Sequence, residues 1–345
     1  MENIKAIIWG FGAMGQGIAE MLLDKTGVEI VGVCDLNPDI IGKGVSEVLK
    51  KGNNNVKISK DIDNVLENDA EVLFLATDSY VSKSYSKIVK VLESGINVIS
   101  TAEEMAYPYA CEPELSKKMN DVAKKNNVSL LGTGINPGFV MDVLAISLTG
   151  AMTDVKGIEV RRVNSLSPFG KTVMEEQGVG ISIDEFNERS QKNELAGHVG
   201  FKESVYMIAD ALGLELEKFD QQMKPIVTKV NRKSKYGKAD KGTLAGIDMT
   251  AQGTIKGKDY IKMSHPQQIE PEDEGINTGD YIILHGSPDI KMSITPEIEG
   301  GLGTIAMCVN MMPHIINADP GLKTMLDLPI PRAIMGDARK YITKK

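Results

Sequence analysis

Short apolar runs alternate with segments of helical period over the first 135 residues. The apolar runs are IKAIIW, VEIVGVC, EVLFLAT, INVIS and VSLLG, at Ile4–Trp9, Val28–Cys34, Glu71–Thr77, Ile96–Ser100 and Val128–Gly132. Such runs are typical of strands that are buried on both faces, as in a parallel sheet. Apolar residues at helical spacing predict helices between them, at Met14–Lys25, Val81–Ser94 and Glu112–Asn126. Strands that alternate with helices predict an α/β domain with a doubly wound parallel sheet of the Rossmann type.

The pattern changes after Gly150. A strand is predicted over Lys156–Asn164, and a helix over Lys202–Leu212 ends at Gly213, a typical stop signal. From residue 223 to 295, strand patterns with alternating polar residues lie between turn signals. The second region is therefore expected to be an α+β domain with an open, mostly antiparallel sheet.

A last apolar helix is predicted over Thr304–Asn317, before the proline-rich stretch LDLPIPRA. We therefore predict a Rossmann domain at 1–135 and a second domain at 136–303, to which we assign substrate binding and dimerisation. A C-terminal helical segment at 304–345 is expected to pack back towards the first domain.

Composition and charge exclude several classes of protein. The net charge is −8 and the isoelectric point about 5.3, so the general basic surface that nucleic acid requires is missing. Residues 229–241 carry six Lys and Arg, which we interpret as a solvated loop rather than a polyanion site. No apolar run approaches the roughly 20 residues that span a bilayer, and no signal or transit segment is expected. Three widely spaced cysteines favour reduced thiols in the cytoplasm.

The first predicted strand runs directly into WGFGAMGQG, which contains a GxGxxG pattern and opens a helix. The pattern alone is weak evidence, but this strand–loop–helix context is the one that a dinucleotide fingerprint requires. Gly10 permits the tight turn, Gly12 lets the backbone approach the pyrophosphate, and Gly15 permits close packing of helix on strand. With Ala13 and Met14 they form the predicted cofactor loop, whose helix N-terminus faces the diphosphate.

Asp35 ends the second predicted strand, twenty residues after Gly15. An acid at this position hydrogen-bonds the adenosine ribose diol and repels a 2′-phosphate, which favours NAD over NADP. A neighbouring cation such as Lys43 would compensate for this charge. Because ligands of open α/β sheets bind beyond the carboxyl ends of the strands, Ala76-Thr77-Asp78 and Thr101-Ala102-Glu103 are predicted to line the cofactor. Helix capping by Thr or Asp is the alternative for both turns.

The stretch LLGTGINPGFVMD leaves the last strand of the first domain at its carboxyl edge. Asn136-Pro137-Gly138-Phe139 fits a type II turn, since Pro presets the second position and Gly accepts a positive φ at the third. Apolar spacing predicts a helix over Phe139–Leu148, whose first N–H groups would face an anionic or carbonyl group. Asn136 is therefore a candidate substrate-binding residue; a plain inter-domain connection is the alternative.

Six motifs carry a resemblance to known dehydrogenases: GFGAMG, CDLNP, ATDS, GTGINPGFVMD, GHVGFKES and NADPGLKTMLDLPIPR. Nearly end to end, the chain resembles the 2,4-diaminopentanoate dehydrogenase family, and more distantly dihydrodipicolinate reductase and diaminopimelate dehydrogenase. The resemblance implies oxidative deamination of 2,4-diaminopentanoate at C4, a step of ornithine fermentation. It also implies the products 2-amino-4-oxopentanoate, ammonia and NAD(P)H, a homodimer, and the use of either cofactor.

Neighbouring families lack their motifs in this chain. The histidine pair and the aspartate-alanine-proline-serine-glycine-threonine run of dihydrodipicolinate reductases are absent, and RRVNSLSPFGKT is the nearest segment. The asparagine-glycine-threonine-threonine loop of homoserine dehydrogenases is also absent. Two alternatives stay open: an NAD(P) enzyme acting on another small amino acid or cyclic imine, and a dinucleotide-sensing regulator.

Oxidative deamination requires a neutral amine, a hydride acceptor and water to attack the iminium. A diamino acid also requires a cation for its carboxylate. Arg161 and Arg162 end an apolar strand, and because strand side chains alternate, at most one of them faces the site. A carboxylate clamp and surface charges are both open interpretations. Lys171 is a second candidate for catalysis and substrate contact, and Glu175 and Glu176 are candidate acids.

His198, in LAGHVGFKES, is the predicted catalytic base. A helix follows it, and a helix N-terminus lowers the pKa of an imidazole and holds it neutral. The alternatives are Lys202 as the base and a histidine that only braces the loop. Asp142 either takes part in catalysis or stabilises the next helix, and His314 is expected to be a core residue. The histidines show no ligand spacing, so no metal site is predicted.

Overall fold

The computed structural model describes residues 2–343 and divides into two compact units. The chain forms most of unit 1, then unit 2, and its last segment belongs to unit 1 again. Unit 1 comprises the chain up to Phe139 and the segment from Gly300 onwards, and unit 2 comprises Val140–Glu299. The divisions thus lie beside the predicted boundaries at 135 and 303. The C-terminal segment is part of unit 1 rather than a separate element.

The secondary structure of unit 1 alternates as the hydrophobic pattern predicts. Its first strands are β1 (Ile4–Trp9), β2 (Val28–Cys34), β3 (Ile58–Ser59), β4 (Val72–Leu75), β5 (Asn97–Ser100) and β6 (Ser129–Gly132). Its first helices are α1 (Ala13–Leu23), α2 (Val45–Leu49), α3 (Ile62–Leu66), α4 (Val81–Glu93) and α5 (Pro113–Lys125).

Unit 2 is richer in long strands. Its helices are α6 (Val143–Thr149), α7 (Lys171–Glu176), α8 (Ile183–Gln191) and α9 (Phe201–Ala211). Its strands are β7 (Asp154–Ser165), β8 (Lys218–Val227), β9 (Arg232–Lys233), β10 (Lys238–Ala239), β11 (Leu244–Ile255), β12 (Lys258–Gln268), β13 (Gly279–Ser287) and β14 (Ile290–Ile294). The chain then returns to unit 1 through α10 (Gly300–Asn317) and β15 (Gly321–Lys323).

The strands of unit 1 form one parallel sheet in the order β15–β6–β5–β4–β1–β2–β3. This order changes direction beside β1, as in doubly wound Rossmann sheets. β4 and β6 are buried along their whole length, which is expected where helices cover both faces of the sheet. The predicted parallel α/β sheet is confirmed, and the carboxyl ends of β1, β2, β4 and β5 lie along one edge.

The main sheet of unit 2 has the order β14–β13–β7–β12–β11–β8. Its strands pair antiparallel except for β7 and β12, which are parallel, so the predicted open and mostly antiparallel sheet is confirmed. α9 packs on β11: a Cβ added at Gly253 would lie 2.9 Å from Val205 of α9. The inner face of the sheet therefore contributes to the core of unit 2.

Two sequence-based expectations are wrong in detail. Turns continue through Asp142, and α6 begins at Val143 rather than at Phe139, because the Asp142 carboxylate accepts the Val143 N–H at 2.6 Å and caps the helix there. The basic segment 229–241 is not simply a solvated loop. It pairs β9 with β10, and the Arg232 guanidinium is buried against Glu274 and the Ile269 carbonyl.

Candidate functional site

The glycine-rich loop after β1 is packed tightly at its two ends. Gly10 has φ +94°, and a Cβ added there would lie 2.9 Å from Thr77 and overlap the Ala76 carbonyl oxygen. A Cβ at Gly15 would overlap the carbonyl oxygen of Gly10. Both glycines are therefore required by backbone conformation or packing, as the sequence analysis predicts.

Gly12 differs from its neighbours, because a Cβ added there meets nothing within 4 Å among residues 2–343. Gly12 is the N-cap of α1, whose first turn carries no acidic side chain and, within the described chain, no side-chain cap. The N–H groups of Ala13 and Met14 thus open the helix beside free space. An anionic diphosphate fits these donors and this opening, so the loop suits a dinucleotide.

Asp35 lies at the end of β2, close to the glycine-rich loop. Its carboxylate accepts the backbone N–H of Phe11 through one oxygen and the N–H of Asn37, at 2.7 Å, through the other. These bonds fix the carboxylate at the edge of the sheet where the ribose of a dinucleotide is expected. The binding of the ribose diol by Asp35 stays a prediction.

The two predicted lining turns lie at the same edge. The Ala76 N–H donates to the Trp9 carbonyl at 2.8 Å, and the Thr77 hydroxyl donates to Asp78 at 2.7 Å. The Thr101 N–H donates to the Leu75 carbonyl at 3.0 Å, and Ala102 is buried. The ends of β1, β4 and β5 are thus bonded side by side, which brings Ala76, Thr77, Thr101 and Ala102 to the edge that carries the glycine-rich loop.

Adjacent carboxyl groups follow the end of β5. Burial, together with the charge of Glu104, raises the pKa of Glu103, although hydrogen bonds with its own backbone and with Ser79 oppose the rise. Glu104 accepts the N–H of Val81, the first residue of α4, at 2.7 Å. A carboxyl with a raised pKa at this edge is a candidate acid or base.

Asn136, the candidate in the loop after β6, belongs to unit 1 and is half-buried. The Asn136–Pro137 peptide is cis, and Gly138 has φ +120° as the turn chemistry predicts. A Cβ at Gly138 would lie 2.7 Å from the Gly134 nitrogen, so the loop folds back on itself. The role of Asn136 in substrate binding stays a prediction.

In unit 2, His198 is in contact with a second histidine. The rings of His198 and His265 have centroids 4.7 Å apart at an angle of 75°. His265 Nε2 lies 3.0 Å from Asn164 Oδ1, and the Phe201 ring lies 5.2 Å from that of His198. The loop before α9 and the strands β7 and β12 therefore bring these side chains into one cluster, in which His198 is half-buried and the other three residues are buried.

Both histidines are held neutral. Burial, together with the charge of Arg162, lowers the pKa of His198 to about 3. Burial, the proximity of His198 and the charge of Arg162 hold the pKa of His265 well below its usual value. The sequence predicts a neutral His198 because a helix N-terminus follows it, whereas burial is the larger cause of the lowered pKa.

The two adjacent arginines lie on opposite faces of β7, as strand alternation requires. Arg161 is exposed, whereas Arg162 is buried on the face that carries Asn164. Arg162 Nη1 donates to Asp280 at 2.5 Å, and Nη2 donates to the Ile298 carbonyl at 2.5 Å. Arg162 is thus the arginine beside the histidines, and an internal carboxylate partly balances its charge.

The cluster contains buried polar atoms without hydrogen-bond partners among residues 2–343: Gln177 Oε1, His198 Nε2 and Gln267 Nε2. Gln177 Nε2 donates to the carbonyl of Gly197, the residue before His198. Gln267 follows His265 by two residues, so the two share a face of β12. Buried polar atoms are almost always paired in proteins, so these atoms have hydrogen-bonding capacity that a water molecule or a polar ligand can satisfy.

Lys171 and Glu176 are not part of the cluster. The Lys171 side chain is 80% exposed and lies 3.5 Å from Glu175. Glu176 is exposed, although its carbonyl accepts the N–H of Ala196 at 3.1 Å. Their catalytic and substrate-binding roles stay predictions.

Sequence reasoning did not single out Asn164, His265, Gln177 or Glu104. The alternation of side chains along a strand is the signal that could have predicted Asn164 and His265. Asn164, for example, follows Arg162 by two residues and therefore shares a face of the strand with it. Gln177 carries no comparable signal, because it ends the short helix α7 and reaches the cluster only through the Gly197 carbonyl.

Comparison with known proteins identifies the family. A family model for the 2,4-diaminopentanoate dehydrogenase C-terminal domain matches residues 139–344. A curated 2,4-diaminopentanoate dehydrogenase from Acetoanaerobium sticklandii is 54% identical, over 100% of this chain and 99% of its own length. The chain belongs to the 2,4-diaminopentanoate dehydrogenase family. Residues 4–105 also match the model for the N-terminus of dihydrodipicolinate reductase, and the chain is an NAD(P)-dependent dehydrogenase of amino acids or amines.

More distant relatives agree with this assignment. An amine dehydrogenase from Streptomyces virginiae is 23% identical, over 98% of this chain and 99% of its own length. The structure of an amine dehydrogenase from Mycobacterium smegmatis superposes with a TM-score of 0.86 at 24% identity, covering 96% of this chain and 98% of that one. This second likeness concerns the fold. None of the helices within residues 2–343 has the length and hydropathy needed to cross a bilayer.

Proposed function

We propose that the chain oxidatively deaminates 2,4-diaminopentanoate at C4 to 2-amino-4-oxopentanoate and ammonia. The 54% identity to a named 2,4-diaminopentanoate dehydrogenase over the whole chain carries this proposal. The structure supports it with a dinucleotide loop in unit 1 and, in unit 2, a buried neutral polar cluster beside the cation of Arg162.

The reaction consumes one water and one oxidised cofactor. The C4 ammonium loses one proton to give the neutral amine, the C4 hydrogen leaves as hydride, and an iminium forms on the substrate. Nicotinamide, when bound, supplies the hydride acceptor. Water then adds to the iminium carbon, and ammonia leaves as the carbonyl forms. The protein must bind the substrate, accept protons and hold the carboxylate.

The glycine-rich loop holds the pyrophosphate in this proposal, and Ala76, Thr77, Thr101 and Ala102 line the cofactor. Asp35 binds the adenosine ribose and favours NAD over NADP. Its two backbone hydrogen bonds support this role, because they fix a carboxylate where a 2′-phosphate would be repelled.

Proton acceptance is assigned to the Glu103–Glu104 carboxyl pair. His198 is the base predicted from the sequence, but a group with a pKa of about 3 is a weak acceptor near neutral pH. The raised pKa of Glu103 lies closer to the working range. His198 is accordingly proposed to touch the substrate as a neutral hydrogen-bonding group, with Arg162 as the cation for the carboxylate.

A screen at 340 nm tests the proposed function. Purified protein with NAD or NADP should form NAD(P)H with 2,4-diaminopentanoate and release one ammonia for each turnover. Formation of NAD(P)H only with other amino acids, or cofactor binding without turnover, would favour the enzymatic or the regulatory alternative. Glu103→Gln and Glu104→Gln should each lower kcat, whereas Glu114→Gln, in the first turn of α5, should not.

We also propose that the enzyme is a cytoplasmic homodimer of ornithine degradation. The family resemblance supports this assignment, and the sheet of unit 2 has edge strands, β8 and β14, that a second copy can cover. Light scattering after gel filtration should give twice the chain mass of 37.4 kDa.

A further inference from the structure

Gln177 is a buried residue of the cluster, and one hydrogen bond fixes the orientation of its side-chain amide. Its Nε2 donates to the Gly197 carbonyl, and a carbonyl oxygen accepts hydrogen bonds only, so the amide nitrogen must face Gly197. The amide oxygen therefore points elsewhere. It is buried without a partner among residues 2–343, and the side chain is only 5% exposed.

A buried oxygen with no donor is costly unless a ligand supplies one. The adjacent histidines are neutral, and the Asp280 carboxylate partly balances the Arg162 charge beside them, so a cationic donor can approach the Gln177 oxygen. His198 Nε2, likewise without a partner within the described chain, lies on the residue next to the Gly197 carbonyl. Each of the two atoms can form a hydrogen bond with a polar group of a ligand.

We propose that Gln177 Oε1 accepts a hydrogen bond from the α-ammonium of the substrate and makes the enzyme selective for diamino acids. This inference rests on the proposed function, in which the C4 amine reacts and the C2 ammonium does not. Gln177 is thus a specificity-determining residue: it recognises the group that separates 2,4-diaminopentanoate from 4-aminopentanoate.

Two substitutions at Gln177 separate recognition from structure. Gln177→Met and Gln177→Glu both lose the N–H that is donated to Gly197, but only the glutamate keeps an acceptor. Wild-type kcat/KM should be higher for 2,4-diaminopentanoate than for 4-aminopentanoate by about 10- to 100-fold, the range of a hydrogen bond to a charged group. Gln177→Met should abolish this ratio, mainly through KM, and Gln177→Glu should keep it.

Gln191→Met, at the exposed end of α8, is the matched control and should leave the ratio unchanged. If Gln177→Met and Gln177→Glu change the ratio equally, or if neither changes it, the assignment is overturned. Thermal melting of each variant shows whether it is folded.

Recognition of the α-ammonium can also be tested by ligand binding to the wild-type protein, which requires neither turnover nor a variant. With oxidised cofactor present, calorimetry should show 2-aminopentanoate binding at least about tenfold more tightly than pentanoate, which lacks the ammonium. Equal affinities would overturn the inference. Failure of the proposed function would instead show as an absence of NAD(P)H formation from 2,4-diaminopentanoate, whatever the affinities of these two ligands.

Discussion

The imidazole rings of His198 and His265 meet edge to face, with centroids 4.7 Å apart, although one precedes α9 and the other lies within β12. A proton on either ring would be buried and close to the Arg162 guanidinium. Both rings are therefore held neutral, and the Asp280 carboxylate partly balances the Arg162 charge beside them. This suits a site that must bind an ammonium group.

The acid sensitivity of the fold should follow from this pair. The folded-state pKa of His198 is about 3, below the unfolded value near 6.5, so the unfolded chain binds the proton first. The contribution of neutral His198 to stability is complete above pH 6.5 and declines as the pH falls towards 3. The urea midpoint should therefore fall less between pH 7 and pH 4 in His198→Gln than in the wild type. His285→Gln, at an exposed histidine, is the control, and its urea midpoint should change with pH as in the wild type. If the midpoint of His198→Gln also changes with pH as in the wild type, His198 is not a source of the acid sensitivity.

Replacement by alanine should have different effects at Gly15 and at Gly12 of the loop. Gly15→Ala places a methyl group against the Gly10 carbonyl and should lower the free energy of unfolding by about 1–3 kcal/mol. Gly12→Ala meets open space, so stability should hold while the dinucleotide Kd rises by about tenfold or more, because the methyl group occupies the approach of the pyrophosphate. Thermal melting and fluorescence titration with NADH measure the two effects. A Gly12→Ala variant with unchanged affinity would show that the diphosphate lies elsewhere.

Sequence reasoning predicts unit 1 well because its signals are local. A buried strand such as β4 is apolar throughout, and the glycine-rich loop lies between β1 and α1 in the chain itself. The sequence does not predict β3 and β15, because strands of two or three residues show no hydrophobic period. The start of α6 was misplaced because apolar spacing continues through the turn after Gly138, and the capping carboxylate of Asp142 alone marks the boundary.

The site in unit 2 was predicted only in part, because its contacts are distant in sequence. His198 was singled out from its own loop, but the partners that keep it neutral, His265 and Arg162, come from separate strands. Lys171 and Arg162 could not be ranked from the sequence, since burial alone separates them. An adjacent pair such as Arg161 and Arg162 is divided by strand alternation, but which of the two faces inwards depends on register.

Cofactor choice should depend on Asp35. Removing its charge in Asp35→Ser eliminates the repulsion of a 2′-phosphate and the acceptor for the ribose diol. The ratio of kcat/KM with NADP to that with NAD should rise by about tenfold or more. Asp39→Ser removes an exposed acid of the same loop and should leave the ratio unchanged. An unchanged ratio in Asp35→Ser would remove the argument for NAD.

Replacement by methionine should affect the stability of the protein differently at Lys171 and at Arg162, the two candidate cations of unit 2. Lys171→Met removes an exposed charge 3.5 Å from an exposed glutamate, so stability should change by less than about 0.5 kcal/mol. Arg162→Met leaves the Asp280 carboxylate buried without its ion-pair partner, so the free energy of unfolding should fall by about 3–5 kcal/mol.

A double variant separates the structural role of Arg162 from substrate binding. Arg162→Met combined with Asp280→Leu removes both buried charges and should recover much of the lost stability, since a buried ion pair is often replaced by apolar residues at little net cost. The folded double variant should still have a raised KM for 2,4-diaminopentanoate, because the cation for the carboxylate is gone. The His198 pKa, followed by NMR, should rise as the Arg162 charge is lost. Recovery of both stability and KM would mean that Arg162 serves only the fold.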